Sequence, residues 1–288
     1  MLMHNIDVDL TRKKLQKLMI IVLFLYCLLL TTHIFLMKTT YEIKGSNIIN
    51  EPESNITNET SVFDLKESVE SVNYLSDNGT LFFSGYAWNI RNGNLSNPGP
   101  NDWSNSPQNV WIDSNGWLHL KITNNNGKWY CAEVNTKQTL GYGTYSFWLA
   151  SKIDDLDKNV VLGLFSYKDD DHEVDIEFSR WGNNFSNNSC YTVQPAPYKS
   201  GITYKSFNVS IDDAFSSHYF FWNRDGIYFE SYEGDYSTLI NSFYCSRNID
   251  PEGVRAIMNL WLFEGLPPTD GNSVEIIIKS FSYTPFID

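Results

Sequence analysis

Three carboxylate side chains recur at two-residue spacing in the segment DDDHEVDIEFSRW, residues 169–181: Glu173, Asp175 and Glu177. In an extended strand successive side chains point to opposite faces, so these acids would line one face and the apolar residues between them the other. The pattern has two interpretations. It can be the solvated acidic face of a half-buried strand, or a carboxylate pair for general acid and nucleophilic chemistry whose middle acid tunes the outer two.

The catalytic interpretation places a demand on the geometry of the strand. In a straight strand the Cα atoms of Glu173 and Glu177 are about 13 Å apart. A retaining glycosidase needs its two carboxyl groups roughly 5 to 5.5 Å apart, and an inverting one roughly 6.5 to 9.5 Å. Strand curvature and side chains that lean toward one another can close the smaller gap, with Asp175 between them sharing a proton.

Composition and charge exclude one class of partner. Of the 288 residues, 42% are hydrophobic and 15% aromatic, which is ample apolar material for one large core. The formal net charge is -13 and no basic block interleaves with aromatic residues, so we predict no nucleic-acid partner. The 17 Tyr, 18 Phe and 9 Trp indicate aromatic rings at the surface as well as in the core, and sugar rings stack on such faces.

Metal, redox and nucleotide chemistry have no motif in this sequence. There is no C-x-x-C pair, no H-E-x-x-H and no Walker loop. The acids of 169–173 could hold a cation, but adjacent strand residues point apart, and we favour a solvated turn. We therefore predict no cofactor and no metal site. Three cysteines outside the apolar N-terminal run allow at most one internal disulfide, and the sequence does not say which pair: Cys131, Cys190 and Cys245.

The apolar run LMIIVLFLYCLLLTTHIFLM, residues 18–37, contains 20 residues and no Asp, Glu, Lys or Arg. As a helix it would be about 30 Å long, which matches the hydrocarbon core of a bilayer. Basic residues lie just before it: Arg12, Lys13, Lys14 and Lys17. The positive-inside rule then predicts a cytoplasmic segment 1–17, a single transmembrane helix and an extracellular remainder of a cell-membrane protein. The alternative is a cleaved signal peptide and a secreted chain, but no small-x-small cleavage site follows the run.

Residues 38–78 are rich in Asn, Glu, Ser and Thr, which predicts a stalk or linker. Seven N-x-S/T sequons agree with an exported chain: Asn55, Asn58, Asn78, Asn94, Asn184, Asn187 and Asn208.

Residues 79–288 change to a period-two pattern that is typical of antiparallel strands. GWLHLKI places alternate apolar residues on one face, VEIIIKSFSY is a long β-branched run, and HYFFWNRDGIYFESY predicts two strands joined around Asp225-Gly226. Helical periodicity is nearly absent apart from one possible turn at 251–255. This pattern predicts a single all-β sandwich domain.

This domain resembles the family-16 glycoside hydrolases, which include lichenases, laminarinases and xyloglucan endotransglycosylases. The resemblance covers most of 81–288 and rests on five stretches in the family's order: CAEVNTKQTLGYGTYSFWL (131–149), HEVDIEF (172–178), YTVQPAPY (191–198), HYFFWNRDGIYFESYEG (218–234) and IMNLWLFEG (257–265). It implies a concanavalin-like jelly-roll sandwich with a substrate groove across its concave sheet.

The resemblance also implies a role for each acid: Glu173 as nucleophile, Glu177 as general acid and then base, and Asp175 as the helper between them. Five further residues fall where family members line the groove: Glu133, Gln194, Tyr198, Asn259 and Trp261. The implied function is an outward-facing, membrane-anchored endo-glycosidase that hydrolyses β-glycosidic bonds of a polysaccharide with retention. Two alternatives stay open: a transglycosylase of the same fold, and a non-catalytic carbohydrate-binding or surface-recognition protein.

Several positions depart from the family pattern. Family members commonly carry Asp where this chain has His172, and Arg where it has Asn135. An Asn between the positions of Gln194 and Tyr198 is also replaced. Many members hold a structural calcium with an Asp in the last strand, and Lys279 is the nearest match here, which argues against calcium. The polysaccharide and its linkage stay open.

Overall fold

Alternating apolar and polar residues build some strands of the domain, and nearly continuous buried runs build others. The structure is a computed structural model that describes residues 75–76, 79–196 and 201–287. Its strands are, in chain order, β1 (Leu75–Ser76), β2 (Thr80–Phe83), β3 (Tyr86–Ile90), β4 (Gly93–Ser96), β5 (Asn101–Trp103), β6 (Val110–Ile112), β7 (Leu118–Asn125), β8 (Lys128–Tyr130), β9 (Ala132–Thr136), β10 (Gly143–Ala150), β11 (Val160–Tyr167), β12 (Glu173–Phe178), β13 (Ser189–Val193), β14 (Tyr204–Phe207), β15 (Phe215–Asn223), β16 (Gly226–Glu233), β17 (Thr238–Cys245), β18 (Arg255–Leu262) and β19 (Val274–Pro285).

The strands form two large antiparallel sheets. The first has the order β1-β2-β3-β9-β18-β11-β12-β13-β14, and the second has the order β17-β16-β15-β10-β19-β7-β6, with β8 paired to β7. A small hairpin joins β4 to β5. Several neighbours within a sheet are distant in the sequence, as when β18 lies between β9 and β11. The all-β sandwich predicted from the sequence is confirmed, and the two-sheet arrangement is consistent with a jelly roll.

Aromatic side chains from the facing sides of the two sheets meet in one core. Tyr191 of the first sheet stacks on Phe229 of the second with ring centroids 5.0 Å apart. Trp88 of the first sheet meets Phe281 of the second edge-on at 5.2 Å. Each of these four rings is buried. Because close-packed rings bury much area and prefer offset or edge contacts, they fix the spacing of the sheets.

The local patterns read from the sequence form the expected strands. Asn223 and Gly226 are paired across the predicted hairpin turn between β15 and β16. Leu118, Leu120 and Ile122 of GWLHLKI lie on β7 and are fully buried. The possible turn at 251–255 is present as one hydrogen-bonded turn, in which Val254 N–H donates to Pro251 O at 3.4 Å, but no helix forms and Arg255 begins β18. Pairing of β18 with β11 extends that strand through Arg255, and the only 3-10 turn among the described residues follows it, at Phe263–Gly265.

The predicted anchor, residues 18–37, and the predicted segments 1–17 and 38–74 lie outside the described residues. In the described ranges, no helix is both long and apolar enough to cross a membrane. The predicted domain boundaries stay predictions.

Candidate active site

The three acids lie side by side on β12, an interior strand of the first sheet. β12 pairs with β11 on one side and β13 on the other, so its backbone is fixed along both edges. Val174, Ile176 and Phe178 are fully buried in the sandwich core, and the acids occupy the opposite face. The alternation predicted from the sequence is confirmed. Asp175 is only 3% exposed, although it faces away from the core.

The acid face of β12 opens into a groove of about 370 Å³. The groove crosses β9, β18, β11 and β12, and its lining is Arg91, Asn97, Pro98, Glu133, Phe165, Tyr167, Asp170, Glu173, Asp175, Glu177, Ile257, Asn259 and Trp261. A second cavity of about 220 Å³ adjoins it, lined by Glu177, Trp181, Cys190, Thr192, Gln194, Ala196 and Tyr204. Because Glu177 borders both cavities, the binding surface continues on either side of this carboxyl.

Burial controls the protonation of Glu173 and Asp175. Burial raises the pKa of Asp175 well above its ordinary value, and the charges of the two neighbouring glutamates raise it further. Burial also raises the pKa of Glu173 to about 7, with the charge of Asp170 adding to the increase. A hydrogen bond with Asp175 opposes that increase, because it stabilises ionised Glu173. Asp175 therefore keeps the proton and donates it in a hydrogen bond to Glu173, which is the first of the pair to ionise.

An ion pair lines the groove on the β9 side. Arg91 Nη1 lies 2.9 Å from Glu133 Oε2, and Asn259 Nδ2 donates to the same oxygen at 3.3 Å. Burial raises the pKa of Glu133, and the charge of Arg91 acts in the opposite direction. The guanidinium also lies over the Trp103 ring, 4.1 Å from its centroid. Arg91 lies in the loop after β3. Its guanidinium pairs with Glu133, although this chain has Asn at position 135, where the family pattern has Arg.

Asn259 lines the groove and carries a buried acceptor that no donor in the described ranges satisfies. Its side chain is buried, and its Oδ1 has no hydrogen-bond partner among the described residues. Gly163 pairs with both Asn259 and Glu177 across β11, and a Cβ at Gly163 would lie 2.5 Å from Oδ1. The missing side chain at Gly163 therefore leaves room for the amide of Asn259, whose Oδ1 is buried against β11.

Aromatic rings form the lining around Glu177. Trp261 belongs to the main groove and meets Trp181 edge-on, with ring centroids 6.1 Å apart. Gln194 lines the adjoining cavity, where its Oε1 accepts a hydrogen bond from the backbone of Ala196 at 2.8 Å. Of the eight site residues predicted from the sequence, seven lie along these two cavities, and Tyr198 lies outside the described residues.

Sequence reasoning missed several residues of the groove. Phe165 and Tyr167 could have been found, because β11 and β12 form a hairpin and these rings alternate onto the acid face opposite Asp175 and Glu173. Asp170 lies in the connecting turn, where its Oδ1 accepts a hydrogen bond from Tyr167 at 3.0 Å. Arg91 gave no local signal, because its partner Glu133 is 42 residues away.

The structure shows the state of the described cysteines and the arrangement of potential metal ligands. All three described cysteines are buried free thiols, so none forms the one disulfide that their number allowed. In the described ranges, no group of three or more His, Cys, Asp or Glu side chains is placed to hold a metal ion. Lys279 is the residue nearest to the position of the calcium-binding Asp in the family pattern. Its ammonium lies over the ring of Phe215, 5.7 Å from the centroid.

The raised pKa of Glu173 predicts a pH-dependent cost to stability. The carboxyl ionises near 4.5 when unfolded and at about 7 when folded, so the folded chain holds the extra proton between those values. Stability of the native chain therefore falls as the pH rises through this window. We expect Glu173→Gln to exceed the native chain in free energy of unfolding by on the order of 2 kcal/mol at pH 8 and to match it at pH 4.

Urea denaturation at the two pH values measures this difference. Glu252→Gln is the matched control, because it neutralises an exposed carboxylate, and it should change stability little at either pH. Equal stabilities of Glu173→Gln and the native chain at pH 8 would contradict the burial of an ionising Glu173.

Comparison with solved structures gives the same fold in three glucanase-related proteins. A Bacillus licheniformis beta-glucanase matches with a TM-score of 0.53 at 20% identity, covering 75% of this chain and 97% of that one. A family-16 endo-glucanase from Bacteroides ovatus, in complex with G4G3G-2F-DNP, matches with a TM-score of 0.52 at 15% identity, covering 72% and 98%. An immunostimulatory antigen and pseudo beta-1,3-glucanase of Mycobacterium tuberculosis matches with a TM-score of 0.52 at 20% identity, covering 70% and 90%.

At the level of sequence, no family model matches the chain, and no curated protein matches it either. The structural matches nevertheless span nearly the full length of the proteins concerned. The sandwich and its sheets, rather than a short local motif, are what these proteins have in common with this chain. The chain therefore has the fold of the family-16 glycoside hydrolases.

Proposed function

We propose that the chain is an endo-acting glycosidase that hydrolyses β-glycosidic bonds of a polysaccharide with retention of configuration. The observation that carries this proposal is the row of three acids on β12, lining a groove whose surface continues on both sides of Glu177. A groove open on both sides of the reacting groups admits the interior of a chain. The distinct environments of Glu173 and Asp175 support separate roles for neighbouring acids.

In the proposed mechanism, the Glu173 carboxylate attacks the anomeric carbon, and Glu177 gives its proton to the departing glycosidic oxygen. A covalent glycosyl-enzyme on Glu173 and one shortened glycan result. Glu177, now ionised, removes a proton from water, whose oxygen attacks the anomeric carbon and releases Glu173. Asp175 keeps its proton and stabilises the Glu173 carboxylate by a hydrogen bond, both before attack and as the leaving group of the second step.

The charge of the groove supports a neutral glycan as substrate. Its lining carries five acidic side chains against a single guanidinium, that of Arg91, which is already paired with Glu133. With Asp175 and Glu177 protonated in the proposed mechanism, the carboxylates of Asp170 and Glu173 leave the groove negative. A uronate or sulfated polymer would meet repulsion that an uncharged polymer avoids. The aromatic rings of Phe165, Tyr167 and Trp261 suit the ring faces of a sugar.

One protein with this fold, from Mycobacterium tuberculosis, is a pseudo beta-1,3-glucanase. The fold alone therefore does not establish catalysis, which must be argued from the residues of the site. A non-catalytic glycan-binding protein would not need three acids in register or a buried proton shared between two of them. Both features are present here, and they favour an enzyme.

We further propose that the catalytic domain faces the cell exterior on a single-pass anchor. The apolar run at 18–37, the basic residues before it and the sequons after it support this proposal. Membrane fractionation of cells that express the full-length chain tests it, and a mature chain recovered from the medium with its N-terminus beyond residue 37 would contradict it.

One experiment tests the proposed reaction directly. The full-length chain is incubated with mixed-linkage β-glucan, laminarin, xyloglucan and a sulfated galactan, and proton NMR follows the first reducing ends released. We expect the β-anomer first and only from a neutral glycan, because two displacements restore the configuration. An initial α-anomer would contradict the assignment of Glu173, and redistribution of chain lengths without new reducing ends would indicate a transglycosylase.

A further inference from the structure

A buried thiol lies beside the proposed acid/base. Cys190 on β13 pairs directly with Glu177 on β12, so the two side chains share one face of the sheet. Cys190 Sγ lies 3.7 Å from Glu177 Oε2 and contributes to the lining of the adjoining cavity.

The direction of this hydrogen bond follows from the next residue on the same face. Thr192 Oγ1 lies 3.9 Å from Cys190 Sγ and donates to it. With a lone pair of the sulfur occupied by that donor, the thiol proton is available to Glu177. Burial and the charge of Glu177 raise the pKa of Cys190 well above its ordinary value, so the thiol keeps its proton and acts as the donor.

A thiol is a weak hydrogen-bond donor, in contrast to a hydroxyl. A hydroxyl at this position would form a strong, charge-assisted bond to ionised Glu177 and so favour loss of its proton. A general acid needs the opposite, since it must hold its proton until the glycosidic oxygen takes it.

On this basis we propose, resting on the proposed function, that Cys190 is a positioning residue: its thiol fixes the Glu177 carboxyl over the groove while stabilising the ionised form only weakly. Other titratable groups also face Glu177. They are Asp175 and Glu173 on its own strand and Tyr204 on β14, whereas β11 contributes Gly163 opposite it. Tyr204 also shares a hydrogen bond with Cys190, which Cys190→Ser can keep and Cys190→Ala removes.

The pH profile of kcat/KM tests this role, because its alkaline limb reports the acid of the free enzyme. In the full-length chain, Cys190→Ser should move this limb down by roughly 0.5 to 1 pH unit, since a hydroxyl stabilises the Glu177 carboxylate more strongly. Cys190→Ala should move it up, since the donor is lost. A purely structural role would change thermal stability without this ordered pair of shifts.

Cys245→Ser is the matched control, because it makes the same change at a buried thiol on β17 of the other sheet. It should leave the alkaline limb where it is in the native chain. An unchanged limb in both Cys190 variants, with turnover retained, would overturn the role of Cys190 and leave the proposed function intact.

A second measurement separates this inference from the proposed function. If the native chain hydrolyses none of the glycans tested, the proposed function fails. The carboxyl ¹³C signal of Glu177, assigned by its loss in Glu177→Gln, can then be titrated in the native chain and in Cys190→Ser. A lower midpoint in Cys190→Ser supports the contact, and equal midpoints overturn it. If Cys190→Ser does not fold, the same titration of Cys190→Ala should give a higher midpoint, and an unshifted one overturns the inference.

Discussion

Glu173→Ala is expected to lower kcat/KM for the polysaccharide by roughly 10⁴-fold or more, because no covalent glycosyl-enzyme can form without the nucleophile. Initial rates of reducing-end release measure the loss. Affinity for the glycan should change little, since the rings of Phe165, Tyr167 and Trp261 and the polar groups of the groove supply most ground-state binding. Binding isotherms of the variant with the same polymer measure this second quantity.

Asp170→Asn is the matched control for this substitution. Asp170 lines the same groove, and its charge contributes to the raised pKa of Glu173. Its neutralisation should move the acidic limb of the pH profile to lower pH and reduce the maximal rate by less than about 10-fold. If Asp170→Asn lost as much activity as Glu173→Ala, the essential carboxylate would be Asp170 rather than Glu173. Retained activity of Glu173→Ala would remove the nucleophile from the mechanism altogether.

Much of the site could be predicted from the sequence because it lies on one strand. The spacing of Glu173, Asp175 and Glu177 fixes which face they share, whatever the rest of the sheet does. The same reasoning placed Val174 and Ile176 in the core, where the structure has them. Period-two patterns and the turn signal Asp225-Gly226 were likewise sufficient for the two flanking strands, although the turn residues are Arg224 and Asp225 and Gly226 begins β16.

The walls of the groove depend on pairings that no local pattern determines. Glu133 and Asn259 are 126 residues apart in the sequence and meet only because β9 and β18 pair in the first sheet. Arg91 lies in the loop between β3 and β4, and only the fold shows that it contacts Glu133. The resemblance, rather than physical reasoning from the residues, was what named Glu133 and Asn259 in advance.

Protonation was also beyond the sequence. The alternation of side chains would leave Asp175 facing solvent, yet the surrounding groove side chains leave it almost inaccessible. Its burial, more than its acidic neighbours, keeps the proton on Asp175 and leaves Glu173 as the carboxylate that ionises. Three acids of similar chemistry thus acquire different states from their surroundings.

Glu177→Ala should separate the two steps of the reaction. Hydrolysis of the natural polymer should fall by roughly 10²- to 10⁴-fold, because the departing oxygen no longer receives a proton. A dinitrophenyl glycoside needs no such proton, so its first step should proceed at nearly the native rate. Water then lacks a base, and the glycosyl-enzyme should accumulate on Glu173.

Peptide mass spectrometry of the quenched variant measures this accumulation on the peptide that contains Glu173. Azide attacks without a general base, so its addition should restore turnover and release a β-glycosyl azide from the variant but not from the native chain. Glu177→Gln is the matched control, since it keeps the size of the side chain and should behave like the alanine variant. An adduct on another residue would contradict the proposed nucleophile. A variant equally slow with the dinitrophenyl and natural substrates would show that Glu177 does not supply the leaving-group proton, and Cys190 would then have no acid to position.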